Sequence, residues 1–196
     1  MREKLGIFIL VLLIFGNKSI FAEQMIIDDM SSVKGEPLGE YCENDVTHWC
    51  LVSDQVMGGV SAGILKISET DTGFFLSLKG DVSTKNNGGF IQIRRTIENH
   101  PSDIEFKGVR VKIRGNNQEY SVHVRTKYLF LPWQYYSATF IATSKWHTVN
   151  LDFAEFSKSN FYQPNKFSSK DIKTIGIVAI GRDFKADIDI GSVEFY

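Results

Sequence analysis

From residue 64 to the C-terminus, apolar side chains recur at every second position in short runs separated by Gly, Asn, Asp and Ser. Successive strand residues point to opposite faces, so this period dictates half-buried strands and excludes long amphipathic helices. The runs fall at 64–68, 74–78, 89–95, 108–114, 119–126, 135–141, 146–151, 175–180 and 186–190. Glu69-Thr-Asp-Thr-Gly73 between the first two is a hairpin signal. Only 152–156 and 168–172 read as short helical turns. With a further strand entering near Trp49, about ten strands result, which is an all-β sandwich or barrel rather than a set of βαβ units. Fifteen Phe and seven Tyr suit a core formed between two sheets. The aromatic-rich irregular stretches 128–132 and 156–167 are expected to cap one rim.

The N-terminus follows a different rule. Met1-Arg-Glu-Lys4 is charged, 5–15 is almost wholly apolar, and Asn17 to Ala22 ends in a small residue. An apolar run of about a dozen residues is short of the roughly 20 a bilayer span needs, so 1–22 reads as a cleaved secretory signal. An uncleaved anchor is the competing reading. Cleavage removes Arg2, Lys4, Lys18 and Glu3, which leaves 19 basic and 22 acidic residues and a net charge of about −3. That balance gives no support for nucleic-acid binding. The chain is expected to be secreted or periplasmic, with no stable membrane span after cleavage. A 23–48 arm would precede one domain at 49–196.

Two cysteines, Cys42 and Cys50, are the whole supply. In an oxidising compartment they read as one disulfide tying the arm to the strand that carries Trp49. Zinc, with His48 as a third ligand, is the alternative, and it lacks a fourth donor.

Two loops carry unusual chemistry: Ser53-Asp-Gln-Val-Met-Gly-Gly-Val-Ser61 and Asn86-Asn-Gly-Gly-Phe90. Glycine pairs mark positive φ or close backbone approach. These loops are either tight turns capped by Asp and Asn side chains or a binding surface on a rigid sandwich. Strand alternation supplies a second constellation. Arg110, Lys112 and Arg114 share one face of a strand, as do Ser121, His123 and Arg125, and Gln92 with Arg94. If those strands are neighbours, they form a cationic stripe ending near Trp133 and Gln134. It is either a solvated face or a site for an acidic sugar, a carboxylate or an acidic partner.

Trp49 with Asp54-Gln-Val-Met-Gly-Gly-Val-Ser61, then Gly80-Asp-Val-Ser83, Asn87-Gly-Gly-Phe90 and Arg94, closely resembles the complex I intermediate-associated protein 30 (CIA30) family. Gly108, Arg114-Gly115, Tyr120, Val124-Arg-Thr126, Gln134 to Phe140, Trp146, Val149, Phe153, Phe156, Ile175-Gly176 and the closing 187–196 segment extend the resemblance from Trp49 to Tyr196. It implies a galactose-binding-domain-like jelly roll. The family's eukaryotic members are mitochondrial assembly factors for respiratory complex I. The export signal keeps that role from being carried across directly.

No catalytic constellation emerges. His48, His100, His123 and His147 are scattered, no carboxylate pair is placed across a cleft, and no phosphate loop opens a helix. The sequence therefore predicts a non-enzymatic binding module without a cofactor or metal. Its expected partner is a protein met in membrane-complex assembly or maintenance, and carbohydrate on the cationic and aromatic face is the alternative. The candidate binding residues are Asp54, Gln55, Met57, Asn87, Arg94, Arg125, Trp133 and Gln134.

Overall fold

A computed structural model describes residues 24–31, 38, 42, 47–71 and 73–196. The expected signal at 1–22 lies outside the described residues, as does most of 32–46. Twelve strands form: β1 (Met25–Asp28), β2 (Cys50–Ser53), β3 (Ala62–Thr70), β4 (Gly73–Val82), β5 (Phe90–Thr96), β6 (Gly108–Gly115), β7 (Gln118–Thr126), β8 (Tyr136–Ala142), β9 (His147–Asp152), β10 (Ser157–Lys158), β11 (Ile172–Ile180) and β12 (Phe184–Phe195). Single 3-10 turns at Asp54–Met57, Lys85–Asn87, Phe153–Glu155 and Ser169–Asp171 punctuate them.

Two six-stranded antiparallel sheets pack face to face. The back sheet runs β3-β4-β12-β6-β9, and β1 pairs with the C-terminal half of β12 where β4 leaves off. The front sheet runs β10-β8-β7-β11-β5-β2. Between them lie Leu76, Leu78, Val109, Val111, Ile113, Ile188 and Ile190 from the back and Ile91, Ile93, Val122, Val124, Ile175 and Ile177 from the front. Burying apolar area at about 25 cal/mol per Å² is what holds the layers together. The all-β sandwich read from the period-two pattern is the fold observed, with β3 and β4 in the expected hairpin.

One expectation is corrected. β6 and β7 are consecutive but not neighbours, so the single cationic stripe does not form. β6 pairs with β12 and β9, whereas β7 pairs with β11 and β8. Each strand has one mainly apolar face, and both faces are buried only if the chain crosses between sheets at residues 116–117. The crossing is tied down by Gly115 N donating to Thr143 O (2.7 Å) and Asn117 N donating to Ala142 O (2.8 Å). Arg110, Lys112 and Arg114 consequently sit on the outer side of the back sheet. There Arg110 meets Glu194 (2.8 Å) and Arg114 meets Asp189 (2.7 Å).

Residues 23–48, read as an arm, contribute β1 and the buried Asp28. Asp28 accepts from Met30 N (2.8 Å) and from the Trp49 indole (2.9 Å), and also pairs with the Arg95 guanidinium. Cys42 and Cys50 form the expected disulfide, with Cα atoms 5.4 Å apart.

Candidate functional site

The two glycine loops meet at one end of the front sheet, and Asp54 is the residue between them. Its side chain is 0% exposed. One carboxylate oxygen accepts from Ser61 N (2.9 Å). The other accepts from the Ser61 hydroxyl (2.5 Å), Gly89 N (2.5 Å) and Phe90 N (3.3 Å). Burial works against the charge, but these hydrogen bonds outweigh it and hold the carboxyl below the usual carboxylate range. The glycines follow from this approach. A Cβ on Gly59 would lie 2.3 Å from the Asp54 carboxyl carbon, and one on Gly88 would lie 2.3 Å from a carboxylate oxygen. Gln55 closes the same clasp by donating to Ser61 O (2.9 Å). Met57 and Asn87 stand outside it, Met57 exposed and Asn87 in the left-handed region at φ 57°.

Arg94 and Arg125 lie elsewhere, on the outer side of the front sheet. The strand registers align Arg94, Gly176, His123, Ser137 and Ser157 in one row, with Gln92, Val178, Ser121 and Thr139 in the next. Arg94 is four residues from the clasp end of β5, about 13 Å along the strand. Gly176, itself buried, is the position without a side chain in the first row. A Cβ there would come 3.1 Å from Ile93 O and 3.3 Å from the Gln92 amide oxygen. His123 stacks on Tyr135 with ring centroids 3.9 Å apart and planes at 11°. His123 is only 8% exposed, and burial depresses its pKa to about 3, so the ring is neutral.

Arg125 reaches toward the loop between β7 and β8, where its Nη2 donates to Leu129 O (3.2 Å) and Leu131 O (2.9 Å). In that loop the Gln134 side chain accepts from Leu131 N (3.1 Å), and Trp133 projects outward. The loop after β10 is bound to it. The Ser159 hydroxyl accepts from Tyr135 N (3.0 Å), and Gln163 Nε2 donates to Tyr135 O (3.0 Å). Tyr136 OH donates to Pro164 O (3.1 Å). These bonded loops present Tyr128, Phe130 (85% exposed), Leu131, Trp133, Phe161 and Tyr162 to solvent.

The structure thus brings Arg94, Arg125, Trp133 and Gln134 to one face and rim, and puts Asp54, Gln55, Met57 and Asn87 at the opposite end. Tyr135 and Gly176 appear in the sequence reading only as part of the family resemblance and not as candidate binding residues, although alternation already placed His123 beside Arg125. Among the described residues, no three His, Cys, Asp or Glu side chains are grouped to hold a metal. No described helix is long and apolar enough to cross a membrane.

The family model for complex I intermediate-associated protein 30 matches residues 41–190. The search of curated proteins returned no match. Among solved structures, a family 11 carbohydrate-binding module from Clostridium thermocellum, in complex with a β-1,3-1,4-mixed-linked tetrasaccharide, superposes with TM-score 0.65 at 14% identity. The match covers 88% of this chain and 94% of that one. The family 11 module of a cellulosomal cellulase from the same organism gives 0.65 at 13% identity, with 88% and 94% covered. A family 4 carbohydrate-binding module gives 0.51 at 15% identity, with 87% and 99% covered. At such identities the likeness is one of fold.

Proposed function

The chain belongs to the complex I intermediate-associated protein 30 family, and we propose that it is an exported, non-enzymatic binding module that docks a protein partner in membrane-complex assembly or maintenance. The observation that carries this reading is the aromatic rim. Six large apolar side chains stand in solvent on two loops that are hydrogen-bonded to each other, so they are presented rather than frayed. Aromatic residues supply much of the energy of protein interfaces, and rigid ones lose little entropy on binding. The Cys42–Cys50 disulfide supports an oxidising compartment. The buried, fully bonded Asp54 and the hydrogen-bonded Gln55 support a role in holding the clasp, with Met57 and Asn87 as a second surface beyond it.

The test is affinity capture from periplasmic extract with wild type, Phe130→Ser/Phe161→Ser and Met57→Ser. Loss of a specific partner in the double variant alone is the expected result. Retention of that partner in the double variant overturns the rim as the interface.

Carbohydrate binding is the second reading, and the polar row beside Arg94 on the outer side of the front sheet favours it. Gln92 and Ser137 are half-buried side chains with donor and acceptor atoms that a polyol can meet, with Ser121 and His123 buried between them.

A further inference from the structure

The outer side of the front sheet has an electrostatic feature that the back sheet lacks. On the back sheet every arginine in the β6 row has a carboxylate partner on β12. On the front sheet Arg94 and Arg125 make no ion pair among the described residues. Their backbones are separated by β11 and one register step, about 12 Å, which two arginine side chains can bridge. Burial pulls the Arg94 guanidinium below its ordinary value. Burial, and then the charge of Arg94 itself, does the same to Arg125. Two like charges are therefore held near each other in partly dehydrated surroundings.

Among the described residues, part of their donor capacity is also unused. Arg125 uses Nη2 on two loop carbonyls, and its buried Nε has no acceptor among the described residues. Arg94 donates no side-chain hydrogen bond to any described residue. The nearest acidic side chain on the same face of β7 is Glu119, four residues from His123 and about 13 Å along the strand. Asp171, beyond the far end of β7, is engaged by Lys127 (2.8 Å). A guanidinium fork accepts a carboxylate bidentately, and an anion placed between two forks relieves their mutual repulsion.

We propose that Arg94 and Arg125 form the anion subsite of a saccharide-binding face on the outer side of the front sheet, taking the carboxylate of a uronic acid unit. This deepens the carbohydrate reading and rests on it. The carboxylate bridges the arginines, and hydroxyls of the same unit meet the half-buried Gln92 and Ser137. Selectivity for acidic over neutral chains follows, because only the acidic sugar neutralises the pair.

Isothermal titration of the full mature chain tests this with tetramers of galacturonate, mannuronate and guluronate and with their carboxyl-reduced forms. The expected result is binding of at least one uronate tetramer ten-fold or more tighter than its reduced form, weakening as salt rises. Arg94→Gln, a residue with no described hydrogen-bond partner to lose, should cut that affinity at least ten-fold with the circular dichroism spectrum unchanged. Arg94→Lys should recover only part of it. Equal binding of acidic and reduced tetramers overturns the anion subsite and leaves the carbohydrate reading standing. An unaffected Arg94→Gln variant also overturns it. Binding of none of the tetramers overturns both, as does Arg94-dependent binding of a polyglutamate peptide in their place.

Discussion

Replacing Gly88 by Ala should destabilise the protein through one contact, the Asp54 carboxylate. Gly88 has an ordinary φ of −82°, so no backbone strain arises, yet the new Cβ would sit 2.3 Å from an Asp54 oxygen and 3.0 Å from Gly59 Cα. Relieving the clash means withdrawing that oxygen from Gly89 N and the Ser61 hydroxyl. Hydrogen bonds to a charged group are worth about 1.5–3 kcal/mol each, so the expected loss is about 3–5 kcal/mol. Asp54→Ala strands the same donors inside the protein and should cost about as much. In the double variant the carboxylate that clashes is gone, and Gly88→Ala should then add only about 1 kcal/mol, a coupling of about 2–4 kcal/mol. Urea unfolding of the four proteins gives the cycle. Additive losses would refute the clasp, because they would mean that Gly88 answers to something other than Asp54. The pH dependence supplies a second check. The native carboxyl lies below its unfolded value of about 3.9, so its contribution is complete above pH 4 and disappears as pH falls through the native value. Asp54→Ala should therefore flatten the acid limb of the stability curve.

Further expectations follow from other parts of the sandwich. Cys42→Ser/Cys50→Ser should lower stability by about 2.5 kcal/mol, the loop-closure value for a crosslink of sequence separation 8, measured by urea unfolding without reductant. His123 has a native pKa of about 3 against 6.5 unfolded, so the unfolded chain takes up the proton first and stability falls as pH drops. The loss from this residue between pH 7 and pH 5 is about 2 kcal/mol, and His123→Gln should abolish that slope whatever its effect at neutral pH. Asp28→Ala leaves Arg95 and the Trp49 indole N–H without their shared acceptor, and a loss of about 3 kcal/mol with a shift in Trp fluorescence is expected.

The fold was legible because period-two alternation is the direct imprint of a sheet with one buried face. It correctly placed Val122 and Val124 inward and His123 and Arg125 outward. What alternation does not carry is strand partnership. The Gly115-Asn-Asn117 segment has the composition of a hairpin turn, yet it crosses between sheets, since that choice is made by two apolar faces that each need a cover. β1 and β10 are too short to show a period, and they exist through pairing with β12 and β8. In the clasp, the glycines were readable as demanding positions, but their reason, a carboxylate that any Cβ there would meet at 2.3 Å, is a tertiary contact. Gly176 entered only through the family resemblance, since nothing in its local sequence shows that its row also holds Arg94 and His123. The aromatic rim was visible as composition in 128–132 and 156–167, though exposure is decided by hydrogen bonds from Tyr135, Ser159 and Gln163.

The most direct measurement of where a partner docks is site-specific photo-crosslinking in the native host. A photoreactive residue would replace Phe130, Phe161 or Met57 in turn, followed by mass spectrometry of the adducts. Docking on the rim gives the same partner from positions 130 and 161 and no adduct from 57. An adduct from 57 alone would contradict the rim and move the interface to the clasp end of the sandwich.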